Sequence, residues 1–204
     1  MQYEVKKFNH LLGLAGFSDK LLENHFTLYQ GYVNNFNKLD EILVGMEKEE
    51  KYGTPEFAEL NRRLSWEFNG MRLHEFYFGN LTPVAEQKLA TGREKEPQKI
   101  NEQSDLFKAI IKEFSSYEFW EKDFRAMGAM RGIGWIILYY DKVADRLFNV
   151  WVNEHDTGHF SGCVPLLVMD VFEHAYMLDY GIKKNDYVDV FIKMINWKVV
   201  SERL

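Results

Sequence analysis

Over the first eighty positions the apolar residues recur at intervals of three and four through two runs far longer than a strand, and nothing else restricts the fold as strongly. Ser18 is placed to cap a helix in which Leu21, Leu22, His25, Leu28, Tyr29, Tyr32, Val33, Phe36 and Leu39 share one face, with an end expected near Gly45. The charged stretch MEKEEKYG follows, and Thr54-Pro55 then supplies a cap with proline at the first helical position. Phe57, Leu60, Leu64, Phe68, Met71, His74, Tyr77 and Phe78 mark one face of a second helix, which Gly79 and Pro83 end. Residues 1–84 are therefore expected to form an N-terminal α-hairpin domain.

The character changes in the second half. From about Ala85 to Gln103 the chain is polar and aperiodic, and a linker is expected there. Ser104 and Ser116 each open a shorter helix, the second running toward Met130. IGWIILYYD and DRLFNVWVN are rich in β-branched and aromatic residues and read as an antiparallel hairpin turning at KVA, with VPLLVMDVF as a third strand. NDYVDVFIKMINW reads as a closing helix begun at Asn185 or Asp186. The expectation is an α+β fold in which residues 100–204 form a C-terminal α/β domain with a three-stranded antiparallel sheet.

Composition excludes several classes of function. A net charge of -6 with no basic run argues against nucleic acid as a partner. No segment approaches the roughly 20 apolar residues of a membrane span, and the N-terminus lacks a signal-peptide core. Cys163 stands alone, so no internal disulfide is possible; it reads as an inert small residue suited to a reducing compartment, and a cytoplasmic location is expected.

Of the six histidines, His25 and His74 lie on the inward faces of the two long helices. A single core imidazole is unremarkable, but two facing each other across a hairpin are not. Asp170 sits inside the apolar LLVMDVF, where an unpaired carboxylate costs several kcal/mol on burial, and His174 follows four residues later. One cation would satisfy all four groups. Three imidazoles and a carboxylate suit iron, manganese or zinc, lack the thiolates of structural zinc sites, and leave a position open for solvent.

These residues match a family. LLVMDVFEHAYMLDY resembles the D-x-W-E-H-A-Y-Y-x-D/Q-Y signature of the iron/manganese superoxide dismutases, and INWKVVSERL is similar to their C-terminal N-W-x-x-V-x-x-R. LHEFYFGNL resembles N-H-x-F-Y-W-x-x-L, GIGWIIL resembles G-S-G-W-x-W-L, and NHFTLYQGYVNNFN resembles the H-x7-Y-V-x-x-L-N of the first helix. The likeness covers most of residues 20–40, 66–82 and 128–204. It implies one iron or manganese ion per subunit, held by His25 axially, opposite a bound water or hydroxide, and by His74, Asp170 and His174 in the equatorial plane. It implies dismutation of superoxide to dioxygen and hydrogen peroxide as the metal alternates between trivalent and divalent states.

The resemblance also assigns the surroundings. Where the family aims a glutamine at the bound solvent, VNEHDTG has His155, and the alternative helix position is Gly70, expected to leave room for the His155 ring. Tyr32 aligns with a gateway tyrosine, although seven residues separate it from His25 rather than eight, a difference that loss of a π-bulge would absorb. Phe78 and Phe172 replace two tryptophans of the pocket wall, Trp135 retains a third, and Tyr176 completes E-H-A-Y. The family's channel histidine has no counterpart, and Met177 replaces the tyrosine that pairs with it, a departure from the family's usual proton path. Glu173 implies a homodimer in which it bonds the His174 of the partner subunit, with tetramers open through residues 41–60. Lys184 stands where a cation would steer the anionic substrate. Two rival readings use the same residues: a descendant that keeps only the fold as an interaction module, which retention of all four donors opposes, and a zinc or non-haem iron enzyme of different chemistry.

Overall fold

The computed structural model describes residues 2–87 and 96–204. Helices α1 (Asp19–Lys48) and α2 (Pro55–Gly79) form the antiparallel hairpin. A short helix α3 (Val84–Gln87) follows, and residues 88–95 of the expected linker lie outside the described residues. Then come α4 (Asp105–Phe114), α5 (Tyr117–Ala129), strands β1 (Trp135–Asp141), β2 (Arg146–Val152) and β3 (Val164–Asp170), and helices α6 (Met177–Tyr180), α7 (Lys184–Lys193) and α8 (Trp197–Ser201).

The four helix starts expected at Ser18, Thr54, Ser104 and Ser116 are present as capped turns, whereas the closing helix starts at Lys184 without a side-chain cap. The hydroxyls of Ser18, Thr54, Ser104 and Ser116 accept the backbone N–H of Leu21, Phe57, Phe107 and Phe119, three residues on. Ser18 is tied further: its hydroxyl donates to Asp179 Oδ1 at 2.6 Å and its N–H to Oδ2 at 2.7 Å. That links the start of α1 to α6, close to His174. Ser18→Ala is expected to lower unfolding free energy by about 1–2 kcal/mol, read by urea denaturation.

Two helix ends differ from expectation. Helix α1 runs three residues beyond Gly45, because Glu50 rather than Gly45 takes the left-handed conformation, at φ 55°, and Lys51 N–H closes the end on Met46 O. The C-terminal helix begins at Lys184 and breaks after Lys193, where Ile195 bridges Leu81, Asn196 N–H donates to Asn80 O at 2.6 Å, and Thr82 N–H to Met194 O at 2.8 Å. The chain leaves the helix there to hold the end of α2, and Asn196 then caps α8.

The sheet has the order β2-β1-β3, antiparallel throughout. Trp135 to Leu138 of the central strand are all buried, and α5 packs against β1 and β2 while α2 packs against β3. Only glycine fits before β1: Gly134 has φ +128°, and a Cβ there would lie 2.0 Å from Val152 O. The register sets Trp135 opposite Asp170. Asn80, buried at the end of α2, donates to Val168 O at 2.6 Å, two residues before Asp170. The histidine-bearing helix and the aspartate-bearing strand are thus locked together.

Candidate metal centre

His25 projects from α1 and His74 from α2 into a space closed by the end of β3. One donor atom from each of His25, His74, Asp170 and His174 lies within 4.8 Å of all the others. Asp170 Oδ2 is the point of convergence, 3.2 Å from His25 Nε2, 3.6 Å from His74 Nε2 and 3.1 Å from His174 Nε2. Its other oxygen accepts the Phe172 N–H at 2.8 Å, which fixes the carboxylate plane. Tyr187 donates to Asp170 O at 2.6 Å, and Tyr176 stacks on the Tyr187 ring at 5.5 Å.

The donor set fits a transition-metal ion. His74 Nδ1–H donates to Gly70 O at 2.6 Å, so its Nε2 carries a lone pair toward Asp170. That Nε2 and both ring nitrogens of His25 are buried without a hydrogen-bond partner. Orphaned buried ring nitrogens are costly unless something absent from the protein satisfies them. Burial holds the pKa of His25 below the ordinary value and that of His74 well below it, so both rings are neutral. Burial alone would raise the Asp170 carboxyl; its close contacts with His174 and His25 outweigh that and hold it far below the usual carboxylate range. The neutral imidazoles of His25 and His74 beside one carboxylate suit a divalent or trivalent cation.

An apolar and aromatic wall closes the site. Phe78 lies 4.9 Å from His25 and Trp135 5.1 Å from His74, ring centroid to ring centroid, and Phe172 stacks on His174 at 5.4 Å. His155 is 1% exposed although its loop is largely at the surface. Its Nδ1 accepts the Trp135 Nε1–H at 3.0 Å, and its Nε2 lies 2.8 Å from Tyr32 Oη. The indole can only donate, so the His155 proton is on Nε2 and is given to Tyr32. Burial lowers the His155 pKa from 6.5 to about 4 and, with the Asp170 charge, raises that of the Tyr32 phenol, so both are neutral at physiological pH.

A depressed imidazole pKa carries a stability signature. Unfolded chains bind the proton below about pH 6.5 and the folded one only near pH 4, so His155 contributes stability that is complete above pH 6.5 and lost as pH falls through 4. The size is at most about 3 kcal/mol. Buried His25 and His74 act with the same sign. Metal-free protein is expected to lose unfolding free energy between pH 6.5 and 4, and His155→Gln to flatten that slope measurably in urea titrations at stepped pH.

Gly70 plays a different part from the expected one. A Cβ there would meet Tyr32, 2.6 Å from Cδ1 and 2.7 Å from Cε1, and the His155 ring is not among its nearest neighbours. The absent side chain makes room for the tyrosine, because α1 and α2 cross closely at this point. Tyr32 shares the buried face of α1 with His25 along an uninterrupted α-helix, without a π turn. Lys184 does not stand free: Nζ donates to Met130 O at 2.8 Å and Gly132 O at 3.1 Å, and burial lowers its pKa.

Trp66 escaped the sequence reading. Its ring lies 4.6 Å from His155 and 5.4 Å from Tyr32, and the Arg63 guanidinium covers it at 3.8 Å. The signal was available, since Trp66, Gly70 and His74 recur at intervals of four on one helix face.

Residues 102–203 match the family model described as iron/manganese superoxide dismutases, C-terminal domain. Among curated relatives, superoxide dismutase [Mn] 2 of Haloferax volcanii is 33% identical over 88% of this chain and 82% of its own. Superoxide dismutase [Fe] of Aquifex pyrophilus is 34% identical over 93% and 85%, and that of Cupriavidus metallidurans 32% identical over 100% and 96%. Together with the convergent donors, these matches show that the chain belongs to the iron/manganese superoxide dismutases.

Proposed function

We propose that the protein converts two superoxide anions and two protons to dioxygen and hydrogen peroxide at a centre in which His25, His74, Asp170 and His174 hold one iron or manganese ion per subunit. The observation that carries this reading is the convergence of three imidazole nitrogens on one buried carboxylate oxygen inside an aromatic box, in a member of this family. The ion supplies the two one-electron steps, one oxidising and one reducing superoxide. Relatives named for iron and for manganese are about equally similar to this chain, and the imidazole and carboxylate donors suit both metals.

The protein's own residues exclude water, admit a small anion and deliver protons. Phe78 and Trp135, at 4.9 and 5.1 Å from the His25 and His74 rings, wall the site with apolar surface, which suits a small substrate. Tyr32 and His155 are the pair set to move protons: because His155 Nε2–H is committed to Tyr32 Oη, the hydroxyl proton of Tyr32 is free to point into the site. Lys184 acts as a fixed positive charge for substrate steering, held in place by the Met130 and Gly132 carbonyls.

The N-terminal hairpin of residues 1–84 and the C-terminal lobe of residues 100–204 act as two domains that each supply two donors. The working form is a homodimer, in which Glu173, exposed in a single protomer, reaches His174 of the partner subunit. Supporting it, Ile133, Met177 and Ile182 are exposed around the same depression as Glu173. Among the described residues no helix is long and apolar enough to cross a membrane, and a lone cysteine fits a cytoplasmic setting.

Protein loaded separately with iron and manganese should inhibit xanthine-oxidase-driven reduction of cytochrome c in proportion to its metal content. Activity no greater than that of the free metals with both ions would reject the proposal. Stoichiometric zinc in the native protein would point to hydrolytic chemistry instead. Sedimentation should return the mass of a dimer, and Glu173→Ala a larger share of monomer.

A further inference from the structure

His155 must be aimed, and it is carried by a loop that offers little to aim it. Residues 153–163 join β2 to β3, and Asn153, Thr157, Gly158, Phe160, Ser161 and Gly162 of that loop are exposed. An imidazole has two ring nitrogens. One accepts from Trp135, so a single N–H remains for Tyr32, and any rotation of the loop would misdirect it.

We infer that His159 is a positioning residue that clamps His155 to the central strand through Tyr139. The inference rests on the proposed proton role of His155 and Tyr32. His159 Nε2 lies 2.6 Å from the backbone oxygen of His155. A carbonyl only accepts, so Nε2 carries the proton. In the neutral ring Nδ1 is then bare, and Tyr139 Oη, 2.7 Å away, donates to it. Were the ring protonated, Nδ1–H would donate to the phenol instead, so both bonds survive in either state. Tyr139 is 3% exposed in β1 and cannot follow the loop, and its ring is stacked by the neighbouring Phe160 at 5.9 Å and 9°.

The strand explains the arrangement. Trp135 and Tyr139 are four residues apart in β1, so their side chains leave the same face, about 13 Å apart. His155 and His159 are also four apart, and each pairs with the β1 residue twenty positions earlier. One face of one buried strand thereby grips the loop twice. Trp135 holds the His155 ring, and Tyr139, through His159, holds its backbone. The two fastenings together fix where the one N–H points, which neither alone would do.

His159→Phe removes both bonds and keeps a ring of similar size, whereas His159→Gln keeps an N–H in reach of the His155 carbonyl. Two readouts separate positioning from function. In full-length metal-free protein labelled with 15N-histidine, wild-type His155 should show ring shifts of a single Nε2–H tautomer, and His159→Phe an averaged pair. In iron- or manganese-loaded protein, His159→Phe should lower kcat by about fivefold to tenfold with unchanged metal content, and His159→Gln should stay within about twofold of wild type. Tyr139→Phe, which breaks only the far bond, should move both readouts in the same direction by less, and it decides the matter if His159→Phe does not fold. Unaltered His155 shifts in His159→Phe, or in Tyr139→Phe where that variant decides, would overturn the clamp, as would His159→Gln as impaired as His159→Phe. A wild-type protein inactive with either metal would instead remove the proposed function, while the tautomer measurement would still decide the clamp.

Discussion

Asp170→Asn is expected to purify with less than about a tenth of the wild-type iron or manganese and to show no dismutation above background. The amide has nearly the shape of the carboxylate, so the effect is one of charge and hydrogen-bond polarity. Oδ1 accepts from Phe172 N–H, and an asparagine would keep its oxygen there. Its NH2 would then occupy the position of Oδ2, the point on which His25, His74 and His174 converge. An NH2 there cannot accept from His174 Nε2 as the carboxylate oxygen does at 3.1 Å, and it leaves a cation neither charge nor lone pair. The metal-free protein should also lose stability, with a lower Tm, because the contacts of the ionised carboxylate with His174 and His25 outweigh the cost of burying it and the amide forgoes them. Elemental analysis, activity and calorimetry on one preparation test this. Near-stoichiometric metal in the variant would show that Asp170 is not a ligand.

Gly70→Ala should instead lower activity while the metal is retained. The added Cβ would sit 2.6 Å from Tyr32 Cδ1, well inside contact distance, and the helical backbone of α2 cannot retreat. The Tyr32 ring must swing, which lengthens its 2.8 Å contact with His155 Nε2. Alanine gains about 1 kcal/mol in helix propensity, and overpacking removes about 1–3 kcal/mol, so unfolding free energy should fall by no more than about 2 kcal/mol. A displacement of about 1 Å at a proton-delivering group is a different matter and should lower kcat by roughly tenfold to a hundredfold. The His74 bond to the Gly70 carbonyl is to backbone and should persist, so metal content should match wild type. A variant as active as the wild type would mean that the Tyr32–His155 contact does not contribute to turnover.

These variants probe parts of the site that were unequally legible. His25 and His74 stood out because they interrupt apolar helical faces, and Asp170 because it interrupts an apolar strand; a polar residue in a periodic apolar pattern is visible without coordinates. Helix starts were equally plain, since Ser18, Thr54, Ser104 and Ser116 cap through local bonds. Helix ends were harder. The break after Lys193 depends on Ile195 and Asn196 meeting Leu81 and Asn80, more than a hundred residues away, and no local signal announces it. At Gly70 the neighbour is Tyr32 across the helix pair rather than the expected His155 ring, because a glycine records that something comes close and not what. His159 carried no mark at all, as its partners are a backbone carbonyl and a phenol on another element.

Amphipathic period, caps and donor chemistry, all short-range properties of the chain, were enough to establish two long helices, a sheet after them and four residues able to share an ion. Distances between elements were beyond their reach: which oxygen of Asp170 meets the imidazoles, which tautomer His155 adopts, and that Tyr32 fills the space beside Gly70. Those were decided when α1, α2 and β1 packed into one core, because hydrogen-bond direction and steric exclusion act over a few ångströms between groups that the sequence separates by tens of residues.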